Sequence, residues 1–158
     1  MCAPNRYSRN SRAVKGRPAS PKWRPAKTRR STRRTPMSYD TDNVFAKILR
    51  GDLPCSKVYE DDHVLAFNDI APQAETHVLV IPKGAYVSMD DFSANATDAE
   101  TLGFFRAVGK IARDLGVDAT GYRLIANHGP DSHQLVPHFH VHILGGESLG
   151  TGLINKQS

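Results

Sequence analysis

The sequence predicts an antiparallel α+β domain, and three observations carry that prediction. Five short strand-like runs recur, the early ones joined by brief polar turns. One long amphipathic helix falls in their midst, and a short helix precedes them all, so helices stand outside the strand runs and do not alternate with them. At 158 residues the chain is long enough for one ordinary domain plus a tail, and too short for two full domains. Its 39% hydrophobic content suits a packed core, and no stretch nears the ~18 apolar residues of a membrane span.

Residues 1–36 stand apart from the rest. They hold 12 of the 21 Lys and Arg and no Asp or Glu, while the remaining 122 residues hold 9 against 16. A segment of +12 therefore precedes a body of −7, and the overall +5 describes neither. Pro4, Pro18, Pro21, Pro25 and Pro36, self-repelling charge and only Tyr7 and Trp23 as aromatics leave too little apolar surface to order this tail. It lacks the apolar run of a secretory signal. Its Arg/Ser-rich, acid-free composition suits an organellar transit peptide, although the prolines spoil an amphipathic helix; weak, salt-sensitive binding to nucleic acid is a second reading. The third, which the abrupt charge change favours, is that Met37 is the true start. The folding domain is accordingly placed at residues 37–158. Cys2 and Cys55 give no CxxC and no disulfide framework, so a reducing compartment, the cytoplasm, is expected unless the tail directs the chain to an organelle.

Along the body, Asp42 and Asn43 are N-cap types ahead of Val44–Leu49, whose apolar positions fit a short helix ended by Gly51 and Pro54. Val58–Glu60 and Val64–Asp69 read as strands around the turn Asp61-Asp62. His77–Pro82 is almost continuously apolar, as in a strand buried on both faces. Thr97 and Glu100 form a capping box opening the long helix, with Leu102, Phe105, Val108, Ala112 and Leu115 expected on its buried stripe and Gly116 closing it. Tyr122–Asn127 and Phe139–Leu144 are the last two strands, separated by a polar loop from His128 to Pro137.

The chemistry concentrates in that final strand. Alternate residues of a strand share a face, so His138, His140 and His142 point one way and Phe139, Val141 and Ile143 the other, towards a core roofed by the long helix. Three imidazoles in strict alternation opposite a strictly apolar set cost stability unless each finds a partner. Two readings follow. Imidazoles spaced this way could bind Zn²⁺ with another His completing the set, but a row spanning roughly 13 Å hardly converges on one ion. Alternatively, one neutral imidazole acts as nucleophile or base, oriented by its neighbours.

Residues 43–146 resemble the histidine-triad (HIT) nucleotide-binding family, specifically its Hint branch of purine nucleoside phosphoramidases. The resemblance rests on His138, His140, His142, Ile143 and Leu144, on Asp69–Ala74, on Thr76–Lys83, on Asp114-Leu115-Gly116 and on Gly145-Gly146. It implies a five-stranded antiparallel sheet with one long and one short helix, joined to a second copy in a homodimer. It implies that His140 attacks the α-phosphorus of a nucleoside phosphoramidate, giving a nucleotidyl-histidine that water hydrolyses. His142 would contact phosphate oxygens, His138 and His77 would build the hydrogen-bond network, and Asn127 would position the phosphate. Asp69 would accept from both ribose hydroxyls, and Val44, Phe45, Ile48, Phe67, Ile70 and Leu79 would wall the base. No metal or other cofactor is implied.

The substrate so implied, an AMP or GMP derivative, is anionic while the body is net −7, so binding should rest on neutral donors: imidazole N–H groups, Asn127, Gln134 and backbone N–H groups of the Gly129–Gln134 loop. Several positions depart from the branch. Leu135 stands where many members carry a hydroxyl residue near the phosphate, His133 replaces a common glycine, Pro137 precedes the triad where a Tyr often lies, and Leu149–Ser158 lacks a tryptophan-proline ending. The rival activities are dinucleoside polyphosphate hydrolysis, as in the Fhit-like branch, and catalytically idle nucleotide or Zn²⁺ binding. Nucleic-acid binding is not expected of the folded domain.

Overall fold

The computed structural model describes residues 38–152, so expectations about the basic tail, Cys2 and the last six residues lie outside the described part. Five strands, β1 (Lys57–Glu60), β2 (Val64–Asn68), β3 (Thr76–Pro82), β4 (Tyr122–Ile125) and β5 (Val141–Gly145), form one sheet in the order β1-β2-β3-β5-β4. Every pairing is antiparallel. Three helices complete the fold: α1 (Val44–Arg50), α2 (Met89–Asn95) and α3 (Asp98–Asp114).

Strand alternation sorts the apolar residues into two clusters on opposite faces. Val64, Ala66, Val78, Val80, Val141 and Ile143 pack with Phe92 of α2, with Phe104, Ala107, Val108, Ile111 and Ala112 of α3, and with Phe139. On the other face Leu65, Phe67, Leu79 and Ile81 pack with Phe45 of α1, and Ile48, Leu49, Cys55 and Val136 close around them. Because α1 covers only the β2–β3 half, the β5–β4 half of this face stays open. There the register sets His142 opposite Ile125, and Leu144 opposite both Arg123 and His77.

Local chemistry explains the helix ends. The Asn43 side chain caps α1 by accepting from the Ala46 N–H at 2.9 Å, and Gly51, at φ 82°, supplies the left-handed C-cap. The Thr97–Glu100 capping box of α3 is present in both directions.

The long helix is rotated relative to the expected stripe. Leu102 and Phe105 are about half exposed, and the buried stripe is Phe104, Ala107, Val108, Ile111 and Ala112. That set follows i, i+3, i+4, i+7, i+8, and its large member Phe104 meets Phe92 and Phe139 with ring centroids 5.2 and 5.1 Å away. Helix α2 was not foreseen: Phe92 is its only buried residue, too few for periodicity to show. Its start is fixed by Ser88, which accepts from the Asp91 N–H, while the Asp91 carboxylate accepts from Val87 N–H. The last strand begins at Val141 and not Phe139, because the Phe139 N–H is taken by the Tyr86 carbonyl at 2.6 Å instead of joining the ladder. Similarly β4 ends at Ile125 and β2 at Asn68. Among the described residues no helix is long and apolar enough to cross a membrane.

Candidate active site

The triad histidines share a direction opposite to Phe139, Val141 and Ile143, but they do not form an open row. His138 is fully buried, His140 is 6% exposed, and only His142 is half-buried on the open part of the sheet. Each ring is fixed by specific partners, and those partners decide where its proton resides.

For His140 the deciding partner is a backbone carbonyl, which can only accept. Its Nδ1 lies 2.7 Å from the His138 oxygen, so Nδ1 carries the proton and Nε2 keeps its lone pair. Behind it, His138 Nε2 donates to the Pro82 carbonyl at 3.0 Å, which leaves Nδ1 to accept from the Tyr39 hydroxyl at 2.5 Å. Phe45 stands edge-on to His140, ring centroids 5.2 Å apart, and so limits its rotation.

On β3 the Gln73 backbone N–H donates to His77 Nδ1 at 3.1 Å, so the His77 proton resides on Nε2. That nitrogen lies 2.8 Å from His142 Nδ1 and 3.4 Å from an Asp69 carboxylate oxygen. His142 Nδ1 therefore accepts, and its proton is on Nε2. This atom is buried and, alone among the buried side-chain nitrogens and oxygens of the described residues, has no hydrogen-bond partner. A buried donor without a partner costs about 1–3 kcal/mol. The site consequently presents, on rings 5.0 Å apart, one unshared nucleophilic lone pair and one unspent N–H donor.

Burial keeps these rings neutral. Desolvation pushes His138 down to about 4, against the pull of the Pro82 carbonyl. It also pushes His142 to about 4, helped by its His140 and His77 neighbours. His140 and His77 are lowered by the same cause, opposed by the His138 carbonyl for the first and by Asp69 for the second.

The remaining predicted residues divide. Asp69 is brought to the histidines and pinned by the Ala71 N–H at 2.8 Å. Asn127 joins Gln73, His77, Ile125, His142 and Leu144 in lining a cleft over the open half of the sheet. Phe45, Phe67, Leu79 and Ile48 form the apolar cluster beside the triad, whereas Val44 is half exposed and Ile70 and Leu135 are almost wholly exposed. The donor set expected from the loop is smaller than the sequence suggested. Gln134 Oε1 accepts from the Gly129 N–H at 3.1 Å and its amide donates to the Val87 carbonyl at 2.8 Å, so this side chain braces the loop. The His133 and Gln134 N–H groups are spent on Pro130 and Gly129 carbonyls. Tyr39 and the Gln73 backbone were not foreseen, since nothing in sequence spacing marks a partner 99 residues from its histidine.

Asp69, His77 and His142 bring their ligand atoms within 4.8 Å of one another, the spacing of a cation site. The convergence runs across strands β3 and β5, with His77 as the added histidine, and not along one strand. The hydrogen bonds oppose it, however. A metal on His77 Nε2 would move the proton to Nδ1, facing the Gln73 N–H donor.

The open antiparallel sheet and this cross-braced set of four histidines define the class. The HIT domain family matches residues 50–149, and the chain belongs to that family. It is 61% identical over 113 residues to an uncharacterized 13.2 kDa HIT-like protein of Azospirillum brasilense, covering 72% of this chain and 93% of that one. It is 43% identical over 116 residues to the purine nucleoside phosphoramidase of Escherichia coli, covering 73% and 96%. Among solved structures, a histidine triad protein from Clostridium difficile superposes with a TM-score of 0.64 at 44% identity, covering 72% of this chain and 97% of its own.

Proposed function

We propose that the protein is a hydrolase of purine nucleoside 5'-phosphoramidates acting through a nucleotidyl-His140 intermediate. The observation that carries this reading is the pairing of a free lone pair on His140 Nε2 with the unspent His142 Nε2–H beside it. In the first step the lone pair bonds to the α-phosphorus and the P–N bond breaks, its electrons leaving with the nitrogen, which takes a proton from solvent and departs as an amine. Water then forms the new P–O bond, returning a proton to solvent, and the P–Nε2 bond breaks, releasing the nucleoside monophosphate and regenerating neutral His140. The His142 N–H donates to a phosphate oxygen as charge builds there. Asn127 faces the same cleft, Asp69 accepts from the ribose hydroxyls, and Phe45, Phe67, Leu79, Ile48, Val44 and Ile70 contact the base.

The similarity to a phosphoramidase supports a P–N substrate. Mass spectrometry of a quenched reaction with an AMP phosphoramidate tests it: an AMP adduct on the peptide holding His140, absent in His140→Ala, is expected. Preference for diadenosine triphosphate in a parallel assay would overturn the substrate assignment.

We also propose that the working unit is a homodimer. Strand β4 is a sheet edge with exposed Tyr122 and Leu124, and α3 presents Leu102 and Phe105 to solvent. Unpaired edges and grouped apolar side chains of this kind are what a second copy would cover. The folded unit is taken to begin near Met37.

A further inference from the structure

We infer that Tyr39 is a positioning residue for the nucleophile, acting through His138 from a strap that precedes α1. The inference rests on the functional reading above only for its kinetic consequence. Its structural basis is a chain of three hydrogen bonds. Tyr39 O–H donates to His138 Nδ1, His138 Nε2–H donates to the Pro82 carbonyl, and the His138 carbonyl accepts from His140 Nδ1–H. Residue 138 is therefore held at both ring nitrogens while its carbonyl decides which nitrogen of His140 is free.

The strap is built to deliver this hydroxyl. The Asp40 carbonyl accepts from the buried Asn43 amide at 2.6 Å, and Arg50 donates to the Thr41 carbonyl at 2.6 Å, which ties residues 39–43 to the two ends of α1. Tyr39 meets the His138 ring edge-on at 5.5 Å between centroids, and Phe45 meets it from a second side at 6.1 Å. Tyr39 lies outside residues 50–149, so the matched HIT domain does not supply it. Without the hydroxyl, a fully buried imidazole would keep an acceptor with no partner, at a cost that reorientation of the ring can relieve. A turn that carries the backbone of residue 138 with it shifts the carbonyl on which the His140 tautomer depends.

The test is Tyr39→Phe, which removes the oxygen and keeps the ring contacts. Imidazole ¹⁵N NMR of the protein alone reads the tautomers directly. The expected result is a single Nδ1–H form of His140 in the parent and a mixed population in the variant, together with loss of the hydrogen-bonded Nδ1 signature of His138. Kinetically, kcat should fall about tenfold, equivalent to ~1.4 kcal/mol, with KM within about twofold. Unchanged His140 tautomer signals in folded Tyr39→Phe would overturn the inference, as would unchanged kcat. If the parent protein turned over no phosphoramidate, the proposed function would fail while the NMR comparison still decided the role of Tyr39.

Discussion

His77 Nε2 and His142 Nδ1 meet at 2.8 Å as diagonal neighbours across β3 and β5, because His77 pairs with Leu144, two residues beyond His142. This contact converts a backbone fact into a chemical one. The Gln73 N–H sets the His77 tautomer, His77 sets that of His142, and the result is a donor left facing the site with nothing to bind. The lone pair of His140 is set by an independent route through the His138 carbonyl.

Replacing His142 by Ala should therefore lower kcat by about 10²–10³, the usual loss for one preorganised donor to developing negative charge. His77→Ala should cost less, since His142 can still populate its Nε2–H tautomer although no neighbour then fixes it. Steady-state kinetics on an AMP phosphoramidate compares the two; equal losses would argue that orientation, not donation, is what His142 contributes.

Salt should matter little. The donors brought to the cleft are neutral imidazoles and an amide, and among the described residues no Lys or Arg lines it, so no cationic clamp is available to be screened. KM for the phosphoramidate should change by less than about twofold between about 0.05 and 0.5 M salt. A steep rise with salt would mean that Lys or Arg side chains clamp the phosphate after all.

The apolar face of α3 can be dissected in the same spirit. Phe104 is completely buried against Phe92 and Phe139, so Phe104→Ala should cost about 3–5 kcal/mol in a denaturation experiment. Phe105→Glu, at a half-exposed position, should cost the isolated fold far less. In the proposed homodimer it should instead shift the assembly to monomer, read by native mass spectrometry. A parent protein that is monomeric at every concentration would remove the dimer.

What the sequence made legible was local in origin. The His-x-His-x-His alternation, the Asn43 cap and the Thr97–Glu100 box each rest on neighbours a few residues apart, and each is present. Misreadings arose where the decision belongs to distant parts of the chain. Two candidate stripes on α3 differ by a small rotation, and only the Phe92–Phe104–Phe139 stack selects between them. The start of β5 depends on Tyr86, the free amide groups of the loop depend on Val87 and Gly129, and the orientation of His138 depends on Tyr39. A motif shows that histidines share a face; it does not show which of their nitrogens are spent.

The neutral histidines should also leave a mark on stability. His138 and His142 titrate near 4 in the folded protein because burial disfavours their charged forms, whereas an unfolded chain protonates them near 6.5. Between those values the unfolded state binds more protons than the native one, so stability rises with pH across the window and falls as the solution is acidified through it. The buried His138 alone can contribute a slope of up to about 1.4 kcal/mol per pH unit. Carboxylates protonate lower, Glu60 at about 2 and Glu100 below its usual range, so the interval from about 6.5 to 5 isolates the histidines. Urea midpoints measured at steps through that interval should decline steadily towards acid. Activity should persist below pH 6.5, because His140 is lowered too and keeps its lone pair until the solution is more acidic than an ordinary histidine would require. A flat midpoint across the interval, with activity lost at an ordinary histidine pKa, would show that these rings are solvated and charged like surface imidazoles.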